Sequence, residues 1–242
     1  REAIPDVRGL ASVQGLTYIP GTWIEGIQLN KGAGSVTSGF ESVTGQINVE
    51  LDKPQTMKRW FVNGYGNQGG RSELNLQARQ KLGEKVSTAV LLHGSLRPFQ
   101  INGNGDSFLD FPTGRMLNGV NRWRFTNNKG WNGQVGVRVI DEEKQGGQSE
   151  QVVGTPYLLG WNTRRYEGWG KTGYVFPEKK FQSIGVQAKG VMHAYDSFFG
   201  NRLYTAEQQS VYVNTLYQSI ISTTTHKFRT GASFQYDRFD ET

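Results

Sequence analysis

The side chains able to take part in chemistry are thinly spread along this chain. It contains no cysteine, which removes disulfide frameworks, thiolate metal sites and cysteine nucleophiles. Its three histidines, His93, His193 and His226, lie far apart, and none has the paired spacing of a zinc-binding helix. No Ser/His/Asp set stands out, and Asp141-Glu142-Glu143 reads as charge on a loop rim rather than as an acid–base pair. The expectation is a protein that is not an enzyme. One segment has the composition of a cation-binding loop: Asn102-Gly103-Asn104-Gly105-Asp106-Ser107-Phe108-Leu109-Asp110 sets oxygen-bearing side chains at alternate positions. Asn102, Asn104, Asp106 and Asp110 are its candidate Ca²⁺ ligands. Ser107 replaces the usual glycine, however, and Thr113 stands where a bidentate glutamate belongs, so a polar, turn-rich loop is the alternative. Gly32-Ala33-Gly34-Ser35 has the glycines of a phosphate cradle, but neither the GxxxxGK[ST] spacing nor a following amphipathic helix.

The elements that must position these residues are strands. In 242 residues there are 32 Gly and 7 Pro, with aromatics at 12% and hydrophobic residues at 36%, a balance that suits strands and tight turns. No stretch approaches the roughly 18 to 20 apolar residues of a membrane-spanning helix. Barrel strands alternate lipid-facing and lumen-facing residues, so a mean hydropathy of −0.56 is compatible with them. The net charge of +6 comes from Lys and Arg dispersed among strand-like segments, which reads as solvated lumen and rim charge and gives no nucleic-acid partner. Arg1 opens the chain without the features of a signal peptide, and Arg238-Phe239-Asp240-Glu241-Thr242 stops just past an alternating strand. The expectation is a chain cut at both ends.

A composition break falls near Lys53-Pro54-Gln55, separating residues 1–53, with short β-branched runs among glycines, from residues 54–242, with longer alternating segments. The second region reads as nine strands at about 57–68, 72–82, 85–97, 119–127, 131–143, 163–176, 180–195, 208–222 and 226–239. Leu74, Leu76 and Ala78 share a face opposite Asn75, Gln77 and Arg79; Phe228, Ala232, Phe234 and Tyr236 oppose Arg229, Ser233 and Gln235. Short connections such as Gly83-Glu84 alternate with long ones at 98–118, 144–162 and 196–207, the exception being Gln68-Gly69-Gly70-Arg71. Outer-membrane barrels have that asymmetry, whereas a soluble sandwich gives no reason for it. Aromatics including Trp60, Trp131, Tyr174, Phe176 and Phe199 fall near expected strand ends, as a membrane interface favours.

Ahead of the break, an apolar-Glu-x-Ile-x-apolar run contains Ile24, Glu25 and Ile27 and ends in the turn Lys31-Gly32. A Gly/Ser-rich loop follows with Gly34, Ser35 and Gly39, then the closing strand Gly45-Gln46-Ile47-Asn48-Val49. Physically, Ile24, Ile27, Leu29, Ile47 and Val49 can form a small sheet core between glycine-bearing loops. This pattern resembles the C-terminal half of the plug of TonB-dependent outer-membrane receptors, and is most similar to Bacteroidetes-type members. The only departure is Gly45-Gln46 where Gly-Gly is frequent.

The resemblance implies a mostly β chain: residues 1–53 as the end of a plug domain, and residues 54–242 as about nine antiparallel strands of a 22-stranded transmembrane barrel. It implies location in the bacterial outer membrane, among lipid and lipopolysaccharide, and active import of a scarce ligand. The ligand class stays open among siderophore, cobalamin, metal complex, peptide and glycan. The implied partners are TonB with its inner-membrane energising complex, the extracellular ligand and an accessory lipoprotein. Thr37, Ser38, Phe40 and Glu41 in the plug loop are the ligand-facing candidates. A passive porin or adhesin-type barrel is the alternative.

Overall fold

The computed structural model describes residues 9–11, 14–32, 45–127, 129–149 and 154–242. Three short 3₁₀ turns, Gly9–Ala11, Gly15–Tyr18 and Gly21–Trp23, lead into an antiparallel hairpin of β1 (Ile24–Lys31) and β2 (Gly45–Leu51). Nine further strands follow: β3 (Trp60–Gly66), β4 (Ser72–Leu82), β5 (Val86–Arg97), β6 (Thr113–Thr126), β7 (Trp131–Gly147), β8 (Leu158–Val175), β9 (Ser183–Phe199), β10 (Arg202–Ile221) and β11 (Thr223–Glu241). They form one antiparallel sheet in sequential order, β3 to β11, whose edges do not meet. No α-helix occurs among the described residues. The fold is a mostly β one, as the two-residue periodicity predicts.

Several strands run further than their hydrophobic alternation does. β6 begins at Thr113 rather than 119, β7 continues to Gly147, and β9 and β10 remain paired out to Phe199 opposite Arg202. The added stretches break the strict apolar alternation with glycine, polar and charged side chains such as Gly114, Arg115, Lys144, Gly146 and Asp196, yet their backbones still complete the ladder. Two expectations change as a result. The supposed long connection at 196–207 reduces to Gly200-Asn201, with Gly200 at φ 59° making the turn. Asp141-Glu142-Glu143 lies within β7 rather than on a loop rim, so its carboxylates alternate: Glu142 is buried, while Asp141 and Glu143 face Arg115 on the other side. The connections 98–112 and 148–157 remain long, and the strand-like bridge Phe108 to Gln148 joins them. At the opposite end the turns are tight except for 176–182, which is longer than the expected Pro177-Glu178-Lys179; Gly130, between β6 and β7, has φ +92° and carries no Cβ because one would strike the Val175 carbonyl oxygen.

Burial is inverted relative to a soluble sheet. Along β4 the apolar Leu74 is 52% exposed and the polar Asn75 only 1%. The same sense holds across the sheet: Leu92, Val137, Val139, Val186, Met192, Val211 and Phe234 are exposed, whereas Gln77, Asn118, Arg138, Glu142, Thr163, Arg165, Gln187 and His193 are buried. A water-soluble half-buried sheet shows the opposite pattern. Aromatic pairs decorate the tight-turn end of the apolar face, with ring centroids 5.0 Å apart for both Trp131–Tyr174 and Tyr174–Phe176.

The β1–β2 hairpin departs from expectation in one respect. Its register sets Ile27 opposite Val49 and Leu29 opposite Ile47, so those side chains share a face as anticipated. That face is not a core: Ile27 is 62%, Leu29 61% and Ile47 51% exposed. Two strands cannot enclose their own apolar face without a second layer.

Candidate functional site

The polar face of the sheet is covered by the chain's own N-terminal segment. Two small apolar anchors hold it there. Trp23, 1% exposed, inserts among Met57, Ala89, Leu91 and Val120, with Leu51 and Trp169 packed alongside. Tyr18 and Ala11 cluster with Met116 and Ile140. These are the apolar positions of an otherwise polar face, Leu91 beside Val120 in register and Met116 two residues along the same strand from Asn118. Burying a large aromatic here stabilises docking by about 2–3 kcal/mol in transfer terms.

Between and beyond the anchors, sheet side chains hydrogen-bond the segment's backbone. Asn118 Nδ2 donates to the Tyr18 carbonyl at 2.5 Å, and Arg138 Nη2 donates to the same oxygen. Gln77 Nε2 donates to the Thr22 carbonyl at 2.6 Å, and the Leu10 N–H donates to Gln208 Oε1 at 3.1 Å. Further along, Arg122 Nη1 donates to the Asp52 carbonyl at 3.0 Å and Arg79 Nη1 to the Gln55 carbonyl at 3.2 Å. A segment with little regular structure thus satisfies its buried carbonyls through the wall. Burial pushes the Tyr18 phenol up to about 12 from its ordinary 10, because the phenolate would be desolvated.

Beneath Tyr18 lies a buried ionic network on β7, β8 and β9. Glu167 pairs with Arg165, and its Oε2 lies 3.6 Å from Lys189 Nζ and 4.0 Å from Arg138 Nη1. Arg165 Nη1 donates to His193 Nδ1 at 3.0 Å, and the His193 ring stands edge-on to Tyr18 with centroids 6.5 Å apart. Nearby, Lys144 Nζ reaches Glu142 Oε1 at 2.6 Å. In a covered environment, removing one member would leave an uncompensated buried charge.

The residues singled out from sequence fall in three places. In the hairpin, Ile24 opens β1, while Glu25 pairs at 2.5 Å with Lys53, which also holds Glu50 at 2.8 Å. Those two carboxylates hold the Lys53 ammonium above its usual range, the Glu25 hydrogen bond being the larger cause. Ile27 and Ile47 are exposed, Lys31 and Gly45 are partners, Gly32 has φ +84°, and Asn48 Nδ2 donates to Gln28 Oε1 at 3.3 Å. Gly34, Ser35, Thr37, Ser38, Gly39, Phe40 and Glu41 lie outside the described residues.

The candidate calcium loop folds on itself. Asp106 accepts from the Phe108 N–H at 2.8 Å and from Asn104 Nδ2 at 2.9 Å, while Asn102 Oδ1 accepts from Gly105 N–H and Asp110 Oδ2 from Gly103 N–H. Its oxygens cap the loop's own donors. Among the described residues no group of three or more His, Asp or Glu gathers as metal ligands. His93 is bound to Asn75, Nδ1 to Oδ1 at 2.7 Å.

Sequence reasoning missed the anchors Tyr18 and Trp23 and the network around Glu167. The alternation already put Arg138, Arg165, Glu167 and Lys189 on the polar face, which was the available signal. Their convergence under Tyr18 depends on register across three strands.

Fold and site together define an antiparallel β protein with an inside-out sheet and a strapped polar face. No family model, no characterised protein and no solved structure matches this chain.

Proposed function

We propose that this chain is part of a TonB-dependent receptor of the bacterial outer membrane, comprising the end of its plug (residues 1–53) and about nine strands of a 22-stranded barrel wall (residues 54–242). It serves active import of a scarce ligand. The observation that carries the reading is the inverted burial: an apolar face left open across β3–β11, and a polar face covered by the chain's own N-terminal segment. Lipid tolerates an apolar outer wall and requires that backbone polar groups be paired internally, which an antiparallel sheet does. The plug-like sequence from Ile24 to Val49 supports the same assignment.

Import by such a device needs no covalent step. Ligand binds at the long-connection end, and TonB, driven from the inner membrane, draws on the plug. The strap is suited to displacement. Its ties to the wall are side-chain hydrogen bonds and two aromatic anchors, so it can leave without breaking any strand pairing of the main sheet. Lipid and lipopolysaccharide then contact the apolar face, and an accessory lipoprotein would meet the long connections.

Two measurements test this. The protein should fractionate with the outer membrane and resist extraction by high salt. Growth on the nutrient that the parent strain takes up through it should fail equally when the protein or TonB is deleted. Uptake that persists without TonB would replace active import with a passive barrel.

A further inference from the structure

At the end of the sheet away from the long connections, β7 to β11 enclose a cavity of about 230 Å³. Two cross-strand rows build it. Asn132, Gly173, Gly185 and Leu216 stand in register, and Val175, Ser183, Gln218 and Arg229 form the next row towards the turns. Gly185 and Leu216 lie two residues from the buried Gln187 and Asn214, which sets the cavity on the polar face. Its floor is glycine. Gly173 and Gly185 pair with one another, and a Cβ on either would meet only a carbonyl oxygen at ordinary contact, 3.5 Å from that of Ile184 and 3.7 Å from that of Thr172. The strands' own packing therefore does not demand glycine there, and the bare backbone is what opens the space.

The polar chemistry of the wall is one-sided. Asn132 Oδ1 accepts from the Thr126 hydroxyl at 2.7 Å, and Gln218 Oε1 accepts from Arg229 Nε at 2.7 Å. With both amide oxygens engaged, the two amides offer their N–H groups, beside the Ser183 hydroxyl and the two Nη groups of Arg229. Among the described residues no Asp or Glu lines the cavity, while Val175 and Leu216 supply aliphatic surface. The N-terminal segment seats its anchors and makes its hydrogen bonds on other residues of the face, among them Leu91, Met116, Asn118 and Gln77. Docking of the strap thus does not draw on these side chains. A planar guanidinium flanked by N–H and O–H donors matches the two oxygens of a carboxylate. The volume falls below the roughly 300–1,000 Å³ of sites for drug-sized ligands, which restricts the occupant to a small molecule.

We propose that this cavity binds a small aliphatic carboxylate, its carboxyl group against Arg229 and Ser183 and its alkyl part over the Gly173–Gly185 floor beside Leu216. That such an acid is cargo rests on the transport reading above; the binding itself does not.

The test is a ligand-observed NMR titration of the full-length protein in detergent with isovalerate, and with isovaleramide as its neutral isostere. Isovalerate should bind, and isovaleramide should bind about tenfold more weakly, having lost the charge-assisted hydrogen bonds. R229Q, on the exposed edge strand β11, should weaken isovalerate about tenfold. G185V places a side chain on the floor and should abolish binding; because the backbone admits a Cβ and a β-branched residue suits a strand, hydrogen exchange in β8–β10 should match the parent. R164Q, exposed on the opposite face, should leave affinity within about twofold. Absence of isovalerate binding, equal affinity for acid and amide, or parental affinity in R229Q or in a folded G185V overturns the proposal. Flotation with phosphatidylethanolamine vesicles separates the two readings: a protein that binds isovalerate but fails to float retains the carboxylate site and loses the membrane assignment.

Discussion

Replacing Val137 by arginine distinguishes a lipid-facing sheet from one exposed to water. Val137 projects from β7 on the apolar face and is 55% exposed. That face is bounded on β7 by Trp131 at the tight-turn end and by Asp141, paired with Arg115, at the other. The interval is ten residues (141 − 131), or about 34 Å along a strand rising about 3.4 Å per residue. A tilt of about 45° reduces this to about 24 Å of height, which matches the apolar band of about 25 Å in outer-membrane barrels. Residue 136 marks the middle, so Val137 lies about 2 Å from the midplane on the same geometry. An arginine there costs about 2–4 kcal/mol in a bilayer, roughly 30- to 700-fold in the folding equilibrium. Leu117→Arg, in register with Asp141 at the margin, costs about 0–1 kcal/mol. Guanidinium unfolding of the full-length protein from lipid vesicles measures both. If Val137→Arg stays within about 0.5 kcal/mol of the parent, as surface substitutions in water do, the lipid-facing assignment is wrong.

Three other perturbations probe the strap and the loop. Trp23→Ala should cost about 3–5 kcal/mol by emptying the pocket of Met57, Ala89, Leu91 and Val120, and hydrogen exchange should show residues 14–23 losing protection while β4–β10 keep theirs; unchanged protection would refute its role as an anchor. Tyr18 has a folded-state value raised to about 12, so its contribution is fully present below the ordinary phenol value of about 10 and is lost as pH rises from there through 12; phenolate absorbance should appear together with protease cleavage of the strap, and cleavage well before ionisation would contradict this. Asp106→Ala removes acceptors for the Phe108 N–H and Asn104 Nδ2 and should loosen the 98–112 loop by about 1 kcal/mol. Because the loop's oxygens already cap its own donors, calorimetry with Ca²⁺ should give equal heats for parent and variant; a heat present only in the parent would assign the ion to Asp106.

Local pattern made the nine strands and their two faces readable from sequence, because side-chain direction along a strand depends only on neighbours two residues apart. Leu74 against Asn75 and Val186 against Gln187 were separable on that basis alone. Strand ends at Thr113, Gly147 and Phe199 were not, since glycine and charged residues such as Gly114, Arg115, Gly146 and Asp196 interrupt the alternation there and the extensions are held by pairing with a neighbouring strand. The exposed Ile27, Leu29 and Ile47 mark the converse limit: an apolar alternation fixes a face, but whether that face is enclosed depends on what is packed against it.

The sequence by itself therefore determined the strand-rich architecture, the order of the elements and the opposition of apolar and polar faces. Only tertiary structure decided which face is covered, that Tyr18 and Trp23 cover it, and that Glu167 gathers Arg138, Arg165 and Lys189 beneath them. The Tyr18 carbonyl meets Asn118 and Arg138, which are 100 and 120 residues further along the chain. Such contacts depend on the cumulative register of many paired strands and on non-directional apolar burial, neither of which leaves a local signature.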